Sequence, residues 1–275
     1  MGMVVRTNTM GINANRQLYM NNNAVAKSLE KLSSGFRINR AGDDASGLAI
    51  SEKMKAQIKG LEQASSNAQD GISLVQTAEG ATTEIHNMLN RMVELTTKAA
   101  NAIYDSGTDR VAIEDELDQL AEEITRIATS TKFNNTNLLD GNFTDKNFQI
   151  GTEANDILTV SIAKLDAEAL SVNDDKIDVT TTAKANDSLA LVKEAINLVS
   201  KERAKLGAAQ NRLEYTINNL DTTAENMTAA NSRIRDTDMA KEMMNYTKMN
   251  VLTQAAQAML AQANQQPQAV LQLLQ

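Results

Sequence analysis

The chain carries few groups able to do covalent chemistry. Its one histidine is His86, and it has no cysteine. A thiol nucleophile, a disulfide scaffold and a thiolate metal site are therefore excluded. EIHNM (84–88) holds the imidazole but lacks the second histidine of an HExxH zinc site. A single imidazole on a helix is a surface residue by default. Two acidic pairs, Asp43-Asp44 and Asp174-Asp175, could in principle flank a scissile bond. A helix cap and a turn account for them at least as well. No glycine-rich phosphate loop is present. The expectation is a protein that is not an enzyme and takes no cofactor.

Two other groupings invite recognition chemistry rather than catalysis. LSSGFRINRAGDDASGLAISEKM (32–54) places Arg37 and Arg40 beside Asp43 and Asp44, among three glycines. Gly35 suits a left-handed helix stop. Asp43 or Asp44 suits the N-cap of the next helix, with negative charge at its positive end. Gly47 suits a close backbone approach. The segment therefore reads as a joint between two helices, from which Arg37 and Arg40 project. An ordinary helix link explains the glycines and acids but not the two arginines. The second grouping, Arg91 and Glu94, reads from the residues alone as a solvated helix face.

The elements that must position these groups are long helices. From Leu189 to Ile234 apolar residues recur at alternating spacings of three and four, the seam of a helix about 45 residues long. A second seam runs from Met54 to Ala99. A third, shorter one holds Ile113, Leu117, Leu120, Ile124 and Ile127. Such helices cannot bury their seams alone and must pack along one another. The first 34 residues form another helical stretch, with Leu18, Val25 and Leu32 seven apart and Leu29 and Phe36 on a companion repeat. Its many asparagines lower helix propensity. Between the long helices, residues 131–186 change character. LLDGN (138–142) is a turn signal, and NFQIG (147–151) and DILTVSI (156–162) alternate like strands. The fold class is mainly α: a long antiparallel helical bundle or coiled coil with a small β-hairpin element of two or three strands.

Composition agrees and excludes further classes. Aromatics make up only 3% of the 275 residues, so aliphatic side chains must fill narrow seams. Residues 105–178 hold 17 acids and 6 bases, while the remainder is nearly balanced. No basic stripe rises above this background, so nucleic acid is not an expected partner. No run of about 20 apolar residues exists to span a membrane. The N-terminus lacks the basic, apolar and small-residue succession of a cleaved signal peptide. From Met249 to Gln275 there is no charged side chain and there are eight glutamines. Such a helix is poorly soluble when exposed, and unsatisfied glutamines are too costly for a bilayer core. Its expected environment is a crowded protein assembly.

At these residues the chain resembles the bacterial flagellins. The joint segment is similar to the family's N-terminal signature. So are NAQDGISLVQTAEGA (67–81), KFNNTNLLDG (132–141), AKLGAAQNRLEYTINNL (204–220), SRIRDTDMAKEM (232–243) and QAMLAQANQQPQAVLQLL (257–274). The resemblance implies a layered organisation. Residues 1–34 and 236–275 correspond to the terminal D0 helices, 35–45 to a spoke connector, and 46–130 and 187–235 to the D1 helices. Residues 131–186 correspond to the small β element and a short connecting segment, with no room for large outer domains. It further implies spoke and assembly roles for Gly35, Arg37, Asn39, Arg40, Asp43 and Asp44. Core packing in D0 falls to Leu18, Val25, Leu29, Leu32, Leu252, Ala256, Met259, Leu260, Leu271 and Leu274. The implied function is an extracellular filament subunit, a homo-oligomer in a helical lattice that serves motility. Implied partners are an export chaperone at the C-terminal helix, filament cap and hook-associated proteins, and Toll-like receptor 5 in a host. Arg91, Glu94, Leu95 and Glu116 match the receptor-binding pattern, although Val93 stands where a second base is common. The same terminal helices occur in hook-filament junction proteins, and a minor flagellin would read alike.

Overall fold

A computed structural model describes residues 7–105 and 108–273, with side chains up to residue 265. Five helices follow in order: α1 (Thr9–Ser34), α2 (Ala45–Ala99), α3 (Asp109–Ser130), α4 (Thr182–Arg235) and α5 (Met239–Leu273). Two short hairpins lie between α3 and α4. The first joins β1 (Lys132–Phe133) to β2 (Thr136–Asn137), and the second joins β3 (Lys146–Gln149) to β4 (Ile157–Val160), both antiparallel. The chain divides into two compact units, residues 59–224 and residues 1–58 with 225–275. Segments 46–130 and 187–235 thus contribute to both.

The unit of residues 59–224 holds the hydrophobic core. On α2 the seam is buried as its spacing predicts, through Leu61, Ala68, Val75, Ile85, Leu89, Met92 and Ala99. Val192, Val199, Leu206 and Leu213 of α4 join it in one cluster, and Leu220 is also buried. The polar seam positions find partners. Ser65 donates to Asp221 at 3.0 Å, and Arg203 faces Glu79 at 3.7 Å. Such pairs cost stability relative to leucine but fix which turn of one helix faces which turn of the other. On α3 the buried stripe is Ile113, Leu117, Ala121, Ile124 and Ala128. Leu120 and Ile127, expected on the seam, lie half-buried at its edges, because small alanines let α3 approach closely.

Among the described residues the β element has four strands rather than two or three. The first hairpin turns at Asn134-Asn135, whose positive φ, 47° and 62°, is the twist that a two-residue hairpin loop requires. LLDGN makes a turn of its own after β2, with Gly141 at φ 87°. Leu138 and Leu139 enter the core, and Asp140 accepts from the Asn142 backbone N–H at 2.9 Å. Residues 163–181 form an irregular strap that is nonetheless packed. Leu165, Leu170, Val172, Ile177 and Val179 are all buried. Glu202 of α4, itself buried, accepts from the Ala163 N–H at 3.0 Å. Arg110 ties the strap's end by donating to Thr180 O at 3.1 Å and Thr182 Oγ1 at 2.9 Å.

In the other unit α1 packs against α5, and Asn8 donates to Ala263 O at 2.9 Å. The same asparagine caps α1 by accepting from the Gly11 N–H at 2.9 Å. Ser51 on α2 donates to Asn231 on α4 at 2.7 Å.

Candidate assembly and recognition surfaces

The joint is built from both ends of the chain. Gly35 adopts φ 74°, and its N–H returns to Lys31 O, closing α1 as the glycine predicts. Phe36 pairs with Asp236 in an antiparallel bridge, the Arg37 N–H donates to Arg235 O at 2.6 Å, and the Thr237 N–H donates to Gly35 O at 2.9 Å. The outgoing and returning strands are thus stitched together by backbone. The two arginines have separate tasks. Arg37 donates through its guanidinium to the carbonyls of Ile234 and Arg233, which end α4 and lack intrahelical partners. Arg40 pairs with Glu30 of α1 at 2.9 Å. So Arg37, although exposed, folds back as a helix cap, while Arg40 reaches α1.

The two acids are also distinct. Asp44 accepts from the Gly47 N–H and the Ser46 hydroxyl, both at 2.9 Å, and caps α2. These donors, the Gly47 N–H foremost, hold its carboxyl below the usual range. Asp43 accepts from the N–H groups of Arg40 at 3.1 Å and Asn39 at 3.2 Å, which tightens the loop and lowers its pKa in the same way. Asn39 donates its side-chain amide to Phe36 O at 3.3 Å. Gly47 is required by side chains rather than backbone. A Cβ there would meet Asp44 Oδ2 at 2.5 Å and Ile38 Cδ1 at 2.8 Å. Arg235, missed by sequence reasoning, lies over the Phe36 ring at 4.7 Å and pairs with Glu52.

The α1/α5 unit leaves much of its apolar surface open. Leu18, Val25, Leu32, Ala256 and Leu260 are half-buried, whereas Leu29, Leu252 and Met259 are exposed, at 53%, 41% and 67%. One depression on α5 is lined by Met243, Met244, Val251 and Leu252, and a groove between α1 and α5 by Met10, Ala14, Met259 and Ala263. The Leu271 side chain and Leu274 lie outside the described residues.

On the other unit, the Arg91 guanidinium donates to Glu116 Oε1 through Nε and Nη2, at 2.9 and 2.8 Å, and to Glu94 through Nη1 at 2.9 Å. Glu116 first and Glu94 second raise the arginine's pKa further. The planar fork holds two helices' carboxylates on an open face. Leu95 does not join them. It is 3% exposed and turned into the core, one position beyond Glu94 and so about 100° further round the helix. His86 is half-buried rather than exposed, and its Nδ1 has no hydrogen-bond partner. Among the described residues no cluster of three or more metal-binding side chains occurs, and no helix is long and apolar enough to cross a membrane.

Similarity to known proteins can be set against this geometry. The bacterial flagellin N-terminal helical region matches residues 5–144, and the C-terminal helical region matches residues 189–274. A flagellin of Halalkalibacterium halodurans is 52% identical over 99% of this chain and 100% of its own length. A flagellin of Bacillus subtilis is 53% identical over the same shares. The flagellar filament 33 kDa core protein of Treponema phagedenis is 48% identical, again over 99% of this chain and 100% of its own. The crystal structure of Bacillus cereus flagellin aligns with a TM-score of 0.50 at 32% identity, covering 60% of this chain and 94% of that one. A putative flagellar hook-associated protein of Vibrio parahaemolyticus reaches 0.59, covering 70% of this chain and 100% of that one, but at 13% identity it shares the fold alone. With both helical regions matched and full-length relatives at more than half identity, the chain belongs to the bacterial flagellin family.

Proposed function

We infer that this flagellin builds its filament through the α1/α5 unit. A flagellin is a structural filament subunit and not an enzyme. The observation that carries the reading is the open apolar face of α1 and α5, together with the uncharged run from Met249 onward. Leaving that face in water is unfavourable, and stacking copies removes it. Copies related head to tail make heterologous contacts that need not close, and so extend into a helix. The joint at 35–45 and 235–240 fixes where both chain ends enter the lattice. Small shifts of packed helices would let such a lattice switch between states of similar energy and supercoil.

Export by the flagellar type III route belongs to the same reading. An export chaperone would cover the α5 face beforehand, and filament cap and hook-associated proteins would meet it at the filament's ends. A host receptor of the Toll-like receptor 5 kind would read Arg91, Glu94 and Glu116, an exposed ion cluster, without Leu95. A role at the hook-filament junction is disfavoured by the identity to filament flagellins, and a minor flagellin would work by the same contacts.

Electron microscopy of the full-length chain seeded with filament fragments tests the main reading, beside a chain lacking residues 250–275. Filaments from the first and monomers from the second are expected. Filaments from both would remove the uncharged run from the mechanism.

A further inference from the structure

The methionines are distributed unevenly. Thirteen are present, against no cysteine, so thioethers are the chain's only sulfur. Met92, in the core of the 59–224 unit, is fully buried. Six others, all on α1 and α5, are 47–67% exposed: Met10, Met20, Met239, Met243, Met244 and Met259. Four of these line the two apolar depressions described above: Met243 and Met244 on α5, and Met10 and Met259 between α1 and α5. Unbranched thioethers adapt to an incoming surface, which suits a face that must pack against several neighbours. They are also the chain's most oxidisable groups, and here they stand in solvent.

We propose that Met10, Met243, Met244 and Met259 form a peroxide-sensitive modification site that switches assembly off in the free subunit. The inference rests on the assembly role given to this face. A thioether sulfur attacks one oxygen of hydrogen peroxide. The O–O bond breaks, an S–O bond forms, and the departing hydroxide takes up the remaining proton as water. Sulfur loses two electrons to give the sulfoxide, and the peroxide is reduced. A methionine sulfoxide reductase reverses the step with two thiols, which become a disulfide as the oxygen leaves as water. The sulfoxide replaces an apolar contact with a strong polar acceptor. On the free chain water solvates it, whereas in a packed lattice it would be buried without a donor. Oxidation therefore penalises the assembled state selectively. In the filament the same sulfurs are covered and protected.

The test treats the soluble full-length chain and preformed filaments with equal hydrogen peroxide, then maps single-oxygen mass increments by peptide. In the soluble chain the four methionines should oxidise well before Met92, and in filaments they should be spared. Seeded elongation of the oxidised chain should slow about tenfold or more and recover after methionine sulfoxide reductase treatment. A chain carrying Met10→Leu, Met243→Leu, Met244→Leu and Met259→Leu should elongate equally with and without peroxide. Should that variant misassemble, the reductase arm on the natural chain still decides. Unchanged elongation of a chain mapped as sulfoxide at these four positions would overturn the proposal while leaving the assembly role intact. If the untreated chain fails to extend seeds, the assembly role itself fails. Oxidation of Met92 as fast as of the four would independently remove the site assignment.

Discussion

At the scale of the residue, function rests on side chains that finish what the backbone leaves undone. Arg37 satisfies the last carbonyls of α4 across 197 residues of sequence. Arg37→Ala should therefore cost about 1 kcal/mol, a charged hydrogen bond discounted for exposure. Amide exchange around Gly35 and Phe36 should rise in that variant, and Arg37→Lys should restore it only in part, since an ammonium lacks the fork. Electrostatics on the other unit run the opposite way. Asp118 is pushed up to about 6, by burial first and then by Asp174 and Glu114. Asp115 adds to the same field, and Glu114 is itself raised, first by burial and then by Asp178 and Asp174. Lys184 is the nearby base, and it is engaged by Asp178, which it holds down at about 2. The folded state thus binds more protons at Asp118 than the unfolded chain between about pH 4 and 6. Stability from this group is present below about pH 4 and lost as pH rises through 6. For Asp178 the sign reverses, and its contribution is lost as pH falls from about 4 toward 2. Asp118→Asn should raise the melting temperature at pH 8 and change it little at pH 4. A thermal melt at the two pH values checks both.

At the scale of the element, the sequence announces what is periodic and hides what is not. The α2 and α4 seams were legible because a three-four repeat has one physical solution, a buried stripe. Gly35 and the capping acids were legible because left-handed φ and unpaired N–H groups restrict the residues that serve them. The strap of residues 163–181 was not legible beyond its shortness. Its apolar residues follow no period, because each descends separately onto α3, α4 and the hairpins. The tasks of Arg37 and Arg235 were hidden for a related reason: their partners lie on segments far away in the chain. Leu95 shows the limit of pattern matching along a helix, since it adjoins Glu94 in sequence but faces the core. Glu202 is a buried polar tether of the strap, holding the Ala163 N–H and pairing with Lys205 at 2.7 Å. Glu202→Ala would leave a partly buried N–H unpaired and remove a buried side chain. A loss of about 1–3 kcal/mol in urea unfolding is expected, with faster exchange confined to the strap. Glu202→Gln keeps an acceptor and should lose less. Equal exchange across the whole unit in Glu202→Ala would mean that the strap is not locally tethered.

At the scale of the whole molecule, burial is apportioned by unit. The large hydrophobic cluster lies wholly within residues 68–213, whereas among the described residues of the terminal unit Ile38 is the one buried large apolar side chain. Local stability follows local burial, so the two units should not open with equal free energy. In the soluble subunit the amides of α1 and α5 should exchange by local opening, far faster than those of Ile85, Leu89 or Leu206. Assembly covers the Met- and Leu-bearing face, and whatever binds only the folded form adds to its stability. Protection of α1 and α5 should therefore rise at least about a hundredfold in filaments, close to 2.7 kcal/mol, while the core of the other unit changes little. Hydrogen exchange on monomer and filament, read by mass spectrometry, separates the alternatives. A rise spread evenly over both units would assign the lattice contacts to the 59–224 unit as much as to the terminal helices. A rise confined to α1, α5 and the joint would mean that the chain keeps its apolar surface uncovered as the means of recognising its own copies.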